Sequence, residues 1–210
     1  MNNKNYIKYT LFGFSSETIR LCNSLGLKID TIVDPSKKKH IVGYNHLKSD
    51  LKAISKLKSN SVIVSIDNCT DRYSVFELLK KNKIKVLDVL GGINNSLKLG
   101  KGLFMQINTF ISDNVEYGLG LRMNYGATVM HDCKIKNFVT IAPNATLLGN
   151  VKVGNNCYVG ASATVLPNLI IGDNVIIGAG SVVTKNISDN NIVKGNPAIW
   201  KIKWRTILKK

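Results

Sequence analysis

A solenoid of hexapeptide repeats behind a small parallel α/β domain is the fold that this 210-residue sequence predicts. Two observations carry it. From Ile111 to Val183 every sixth residue is apolar or aromatic, without insertion: Ile111, Tyr117, Met123, Val129, Ile135, Ile141, Leu147, Val153, Val159, Val165, Ile171, Ile177, Val183. A second, smaller series follows four positions after each, as in Ala127, Cys133, Ala145, Cys157 and Ala163. An amphipathic helix repeats at 3.6 and a strand at 2, so a strict six means one short strand and one corner per repeat. Three repeats close a triangular coil of about 18 residues, so 111–182 spans about four coils. The other observation is the alternation of apolar runs with helical patterns over the first ninety residues.

Those runs give strands at Tyr6–Phe12, Ile29–Val33, Ser61–Ile66 and Lys83–Leu87, with helices over 17–25 and 71–81. Strands alternating with helices imply a parallel sheet, hence a Rossmann-like α/β domain over 1–90. The repeats occupy 105–198, with Met105 and Ile107 in a first irregular coil. Residues 199–210 form a C-terminal cap in which Trp200 and Trp204 cover the open end. Ligands of open parallel sheets sit beyond the carboxyl ends of the strands. Here those ends offer Gly13, Phe14, Ser15 and Ser16, then Asp34 and Pro35, then Asp67 and Asn68. One glycine in the first turn is not a dinucleotide fingerprint; Ser15 or Ser16 alternatively caps the first helix.

The net charge of +16 sits in the flanks, because residues 111–182 carry four basic and four acidic side chains. No aromatic-interleaved basic groove or zinc motif accompanies it, which argues against nucleic acid as a partner. No run of 18 apolar residues exists and the N-terminus lacks a signal-like stretch, so no membrane insertion and a cytoplasmic location are expected. Cys22, Cys69, Cys133 and Cys157 show no metal spacing, and no metal is expected.

The order of domains, with Met130-His-Asp-Cys133, Ile141-Ala-Pro-Asn-Ala145, Gly149-Asn-Val-Lys-Val-Gly154, Val165-Leu-Pro-Asn-Leu169, Gly178-Ala-Gly-Ser-Val182 and a Gly-Asn-Pro-Ala ending at 195–198, resembles the sugar O- and N-acetyltransferases. These are the sialic acid O-acetyltransferase and UDP-4-amino-sugar N-acetyltransferase type of the hexapeptide-repeat acyltransferases. The resemblance implies a left-handed parallel β-helix, a homotrimer with sites between neighbouring helices, acetyl-CoA as co-substrate, and a sugar or sugar-nucleotide acceptor.

Acetyl transfer needs a base for the acceptor's proton, and a neutral imidazole suits that task. His40 and His46 lie in a polar stretch that reads as loop; His131 alone lies in the repeats, off the inward series and near a corner. In the family the acidic residue after the base, here Asp132, orients it, and an asparagine at the place of Asn124 lies near the acceptor. Asn124 could equally serve as a repeat-corner residue. Gly149 stands 18 residues after His131, one coil on, leaving room for a thioester. The family's CoA contacts map onto Thr140, Gly149, Ala161 and Ala179. Thr140 replaces a second histidine of the family, and its hydroxyl is expected to donate to the thioester carbonyl. The first turn departs further: a Gly-x-x-Gly followed by His is here Gly13-Phe-Ser-Ser16 followed by Glu17.

The leading expectation is N-acetylation of a nucleotide-linked amino sugar for bacterial glycan precursors, by direct transfer. O-acetylation of sialic acid or another sugar hydroxyl is the first alternative. A non-catalytic trimeric scaffold is the second. One histidine in the repeats rules out the three-histidine zinc site of a carbonic anhydrase.

Overall fold

The computed structural model describes residues 8–36, 41, 43–48, 61–90 and 101–203; His40 and Trp204 lie outside them. In the first domain β1 (Lys8–Phe12), β2 (Lys28–Val33), β3 (Asn45–Leu47), β4 (Ser61–Val64) and β5 (Lys85–Val86) form one sheet in the order β3-β2-β1-β4-β5. Every neighbouring pair is parallel. Side-chain alternation sends Leu11, Ile32 and Ile63 to one face, under Ile19, Leu21 and Cys22 of α1 (Ser16–Ser24). Phe12, Val33, Val62 and Val64 meet Val75, Phe76 and Leu79 of α2 (Cys69–Lys81) on the other. Burial on both faces is why these strands read as unbroken apolar runs. The stretch expected as loop contains β3, which pairs with Thr31–Val33. An edge strand held by backbone bonds needs no apolar signature.

The second domain is a parallel β-helix with three faces. One face stacks β7 (Phe104–Met105), β10 (Arg122–Met123), β13 (Thr140–Ile141), β16 (Tyr158–Val159) and β19 (Ile176–Ile177). The second stacks β8 (Phe110–Ile111), β11 (Thr128–Val129), β14 (Thr146–Leu147), β17 (Thr164–Val165) and β20 (Val182–Val183). The third holds β9 (Glu116–Tyr117), β12 (Lys134–Ile135), β15 (Lys152–Val153) and β18 (Ile170–Ile171). Register advances by one coil of 18 residues, as in Arg122 on Thr140 and Thr140 on Tyr158. Both inward series are buried: Val129, Ile141, Leu147 and Val165 are 0% exposed, as are Ala127, Cys133, Ala145 and Ala163.

The coils start earlier than the sequence suggests. Met105 lies in regular β7, Ile107 projects from the following corner, and β6 (Val89–Leu90) already pairs with β7. The α/β domain therefore hands over before residue 90. At the other end the spacing shortens, with Ile176 pairing with Ile192. The chain leaves through an antiparallel hairpin of β21 (Asn191–Lys194) and β22 (Ile199–Lys203). Ile187, Val193 and Ala198 close the core there. Trp200, expected as part of the lid, is 63% exposed instead.

Each corner needs one residue at positive φ, which short polar side chains and glycine tolerate. Asn108, Asn114, Asp132, Asn144, Asn150, Asn156, Asn168 and Asn174 fill these places, with Gly120, Gly126 and Gly180. Several of the asparagines bond up the stack, such as Asn150 Nδ2 to Asn168 Oδ1 at 2.9 Å. Phe138 is the exception, a bulky residue at φ 56°. Its ring meets Tyr73 and Phe76 of α2 edge-on, both at 5.3 Å between centroids. The backbone cost, about 1–2 kcal/mol, is offset by burying an aromatic side chain, worth roughly 1.5–3 kcal/mol. Phe138→Ala is expected to lower stability by about 3 kcal/mol, read as a drop in the urea unfolding midpoint.

Candidate active site

His131 leaves the coil one residue before the corner at Asp132. The positive φ at Asp132 turns its carboxylate back towards the imidazole, and Nδ1 lies 2.7 Å from Oδ2. Asn114, one coil below, donates to Oδ1 at 3.4 Å. The hydrogen bond from His131, then that from Asn114, holds the Asp132 carboxyl below its ordinary 3.8. Asp132 is thus ionised at neutral pH and accepts only, so Nδ1 carries the proton and Nε2 presents a lone pair. Both side chains are more than half exposed.

Gly149 lies against this ring. A Cβ built there would stand 2.7 Å from both Cε1 and Nε2 of His131. The glycine therefore makes room first for the imidazole, a nearer requirement than space for a thioester.

The acceptor candidates gather at the carboxyl edge of the sheet, between β1 and β4. Gly13 has φ 85°, and a Cβ there would sit 2.7 Å from the Ser65 carbonyl. Asp34 is buried; its Oδ2 accepts from the Phe14 amide at 3.0 Å and its Oδ1 from the Ser36 amide at 2.9 Å. Pro35 and Ser16 are exposed beside it. Ser15 and Asn68 are helix N-caps, accepting from Thr18 N at 3.4 Å and Asp71 N at 3.0 Å. Their side chains have structural work already, which explains those residue types without a ligand. Asn124 is not a corner residue: it follows β10, is 9% exposed, and points Nδ2 at Asp67 Oδ1, 3.4 Å away.

Thr140 departs from expectation. It is 0% exposed, donates to the Asp67 carbonyl at 3.0 Å, and accepts from Arg72 Nη2 at 2.9 Å. Its hydroxyl is used up between the two domains and is not presented to a thioester. Ala161 and Ala179 stack at the corner after β16 and β19, tied by Gly180 N to Ala161 O at 2.8 Å. His131 occupies the corner after β11, so one face of the helix separates it from the two alanines within a protomer.

Two residues that carry the junction, Arg72 and Arg122, have no counterpart among the residues singled out from the sequence. Arg72 is 2% exposed and donates to the carbonyls of Gly120 (3.0 Å), Ile66 (2.6 Å) and Asp67 (2.9 Å). Burial pushes its guanidinium down to about 10, against support from Cys69 and Asp67, so it stays charged at neutral pH. Arg122, 3% exposed, pairs through Nε with Asp67 Oδ1, donates to Ser65 Oγ at 3.2 Å and stacks over Phe104 at 4.4 Å. Burial lowers its value too, opposed first by Asp67 and then by Glu17. A charged residue at a strand position on a neutral solenoid was the available signal for Arg122.

A shallow groove of about 940 Å³ runs along the third face past Lys134, Lys152 and Ile170. Its Lys134 pairs with Glu116 at 3.0 Å, and neither His131 nor the acceptor edge lines it. Among the described residues no cluster of His, Cys, Asp or Glu is placed to hold a metal ion, and no helix is long and apolar enough to cross a membrane.

Residues 150–185 match the family described as bacterial transferase hexapeptide (six repeats). No curated protein matches by sequence. Among solved structures, the acetyltransferase domain of PglB from Neisseria gonorrhoeae, in complex with acetyl coenzyme A, superposes with a TM-score of 0.84 at 24% identity, over 92% of this chain and 98% of that one. A histidine-to-alanine variant of GDP-perosamine N-acetyltransferase from Caulobacter crescentus, in complex with CoA and GDP-perosamine, gives 0.85 at 22%, over 94% and 98%. WeeI from Acinetobacter baumannii gives 0.75 at 27%, over 93% and 100%. Over 92–94% of its length the chain shares the fold of these structures, and its repeats match the hexapeptide model at 150–185.

Two outcomes are expected of the His131 corner. The Asp132 carboxyl should titrate below 3.8 by NMR, and His131→Ala should raise it, since the imidazole is the largest cause of the shift. A depressed folded-state value means that the pair's contribution is present above the unfolded value and lost as pH falls through the folded one. Gly149→Ala should displace the ring and alter the His131 imidazole resonances, while unfolding shows an unchanged core.

Proposed function

We propose that this chain is an acetyl-CoA-dependent acetyltransferase acting on an amino sugar, more finely a nucleotide-linked one, in the making of a bacterial glycan precursor. The reading rests on one observation: an imidazole fixed by an ionised carboxylate at 2.7 Å, with its free nitrogen over a glycine. The fold it shares with an acetyl-CoA-bound acetyltransferase domain and a CoA-bound GDP-perosamine N-acetyltransferase supports it. In this reading the His131 Nε2 takes a proton from the acceptor amine as the amine nitrogen attacks the thioester carbonyl. The C–N bond forms, the C–S bond breaks, and the departing CoA sulfur takes the proton from the imidazolium. Asp132 stabilises that imidazolium and keeps the ring in its tautomer. Transfer is direct, because the described cysteines are buried and desolvation pushes Cys22 up to about 11 and Cys157 to about 12, far from a neutral-pH nucleophile.

Gly149, Ala161 and Ala179 would flank the pantetheine arm. Because the alanines and His131 sit on different corners of one protomer, a complete site takes groups from two copies, in keeping with a homotrimer. The second face, with Phe110 48% exposed below Thr128, Thr146, Thr164 and Val182, offers such copies a surface. The test is thiol release from acetyl-CoA against a panel of UDP- and GDP-linked amino sugars. Turnover with one acceptor, reduced at least about 100-fold by His131→Ala and about 10-fold by Asp132→Asn, is expected. No turnover and no acetyl-CoA binding by calorimetry would leave a scaffold instead.

A further inference from the structure

The histidine–aspartate pair after β11 stands in water, and water does not orient a carboxylate. The His131 and Asp132 side chains are 58% and 51% exposed, so packing does not fix how the carboxylate turns about its own bond. Its direction has to come from hydrogen bonds. Oδ2 lies 2.7 Å from His131 Nδ1, and Oδ1 accepts from Asn114 Nδ2 at 3.4 Å. Among the described residues Asn114 is the one donor to Oδ1. Two anchors, one on each oxygen, define the plane of the group; the ring alone would leave it free to swing. Asp113 holds the backbone, its carbonyl accepting from the Asp132 amide at 3.1 Å.

The ladders at the other corners show what is particular here. Asn156 Nδ2 donates to Asn174 Oδ1 at 3.3 Å, and Asn174 Nδ2 to Asn190 Oδ1 at 3.1 Å, so the middle amide both accepts and donates. Asp132 interrupts such a run. A carboxylate accepts and cannot donate, so Asn114 turns its nitrogen towards it and the ladder stops. Asn150, the next residue of that stack, donates onward to Asn168 at 2.9 Å. The second oxygen of Asp132 is thereby released for His131. Asp173 supplies the contrast, since Asn155 donates to both of its oxygens and Lys136 stands 3.6 Å from Oδ1.

Resting on the acetyltransferase reading for what the base does, we propose that Asn114 is a positioning residue, holding the Asp132 carboxylate so that Oδ2 stays on His131 Nδ1 and Nε2 stays unprotonated for the acceptor. It acts through Asp132. The rival explanation is the corner itself, since Asn114 has φ 55° and asparagine tolerates that backbone. Glycine tolerates it too, so Asn114→Gly removes the donor without straining the turn.

The experiment is NMR on the full chain, comparing wild type with Asn114→Gly, Asn114→Asp and, as a control, Asn168→Gly, which loses a ladder bond further along the same corner. In Asn114→Gly the Asp132 carboxyl should titrate higher, because His131 and then Asn114 are the groups that hold it down. The nitrogen shifts of the neutral His131 ring should move away from the Nδ1-protonated pattern. Asn114→Asp should raise the carboxyl further, by setting a second negative charge beside it. Asn168→Gly should change neither. In the thiol-release assay Asn114→Gly should lower kcat at least about threefold with KM little altered, and cost nothing more in an Asp132→Asn background, as residues acting as one unit do. Unchanged nitrogen shifts and carboxyl titration in Asn114→Gly, equal changes in Asn168→Gly, a loss confined to KM, or a full additional loss on top of Asp132→Asn would each overturn the proposal. The NMR arm needs no turnover. The expected shifts in a protein without acetyltransferase activity would sink the acetyltransferase reading and leave the positioning of Asp132 by Asn114 standing.

Discussion

The two domains meet around a buried guanidinium, and the rest of the molecule is organised by that contact. Arg72 sits in the first turns of α2, reaches the carbonyls that close β4, and crosses to Gly120 and Thr140 on the β-helix. Charge removed from water is costly unless every donor finds an acceptor. Here the backbone supplies three, Thr140 the fourth, and Cys69 Sγ, at 3.9 Å, the fifth. The geometry is therefore exacting: moving either domain would strand the charge. Phe138 adds apolar contact beside it, and Arg122 with Asp67 adds a second bridge. Together they fix the carboxyl edge of the sheet against β10.

The candidate site rests on two different kinds of rigidity. On the β-helix, strands one coil apart repeat at about 4.8 Å, so residues 18 apart are stacked whatever their chemistry. That is why His131 and Gly149 belong together and why Asn114 supports Asp132. At the acceptor edge the order is tertiary. Asp34 pins the first turn, Thr18 and Ser65 join α1 to β4 at 2.7 Å, and Asp67 is steered by an arginine from the other domain. The His131 corner is thus set by the repeat itself, and the sheet edge by contacts between the two domains.

The corners show how local rules and packing compete. Twelve hexapeptides put Asn, Asp, Gly or Ser at the left-handed position because those residues tolerate it. Asp132 obeys the rule and gains a partner from it, since the turned backbone brings its carboxylate to the adjacent His131 ring. Phe138 breaks the rule because α2 rewards an aromatic there. Asn156, next up that stack, is left with a buried oxygen unpaired by its neighbour below. The sequence leaves a corner role open for Asn124, but the structure puts Asp132 at a corner and Asn124 just after β10.

The sequence alone determined the solenoid, its coil length, both inward series and the stacking of Gly149 on His131, because periodicity in a one-dimensional stack is geometry. It also located the strands of the α/β sheet, whose burial on both faces leaves unbroken apolar runs, though not β3, an edge held by backbone bonds. What only the tertiary structure decided lies between the domains. The resemblance makes Thr140 a CoA contact, but it is sealed by a helix some seventy positions earlier. Arg122 reads as one surface charge of a neutral solenoid but is buried against Asp67 and Phe104. No period or motif links residues 67, 72, 122 and 140; their proximity arises when the sheet docks, and that docking gave each side chain its partner.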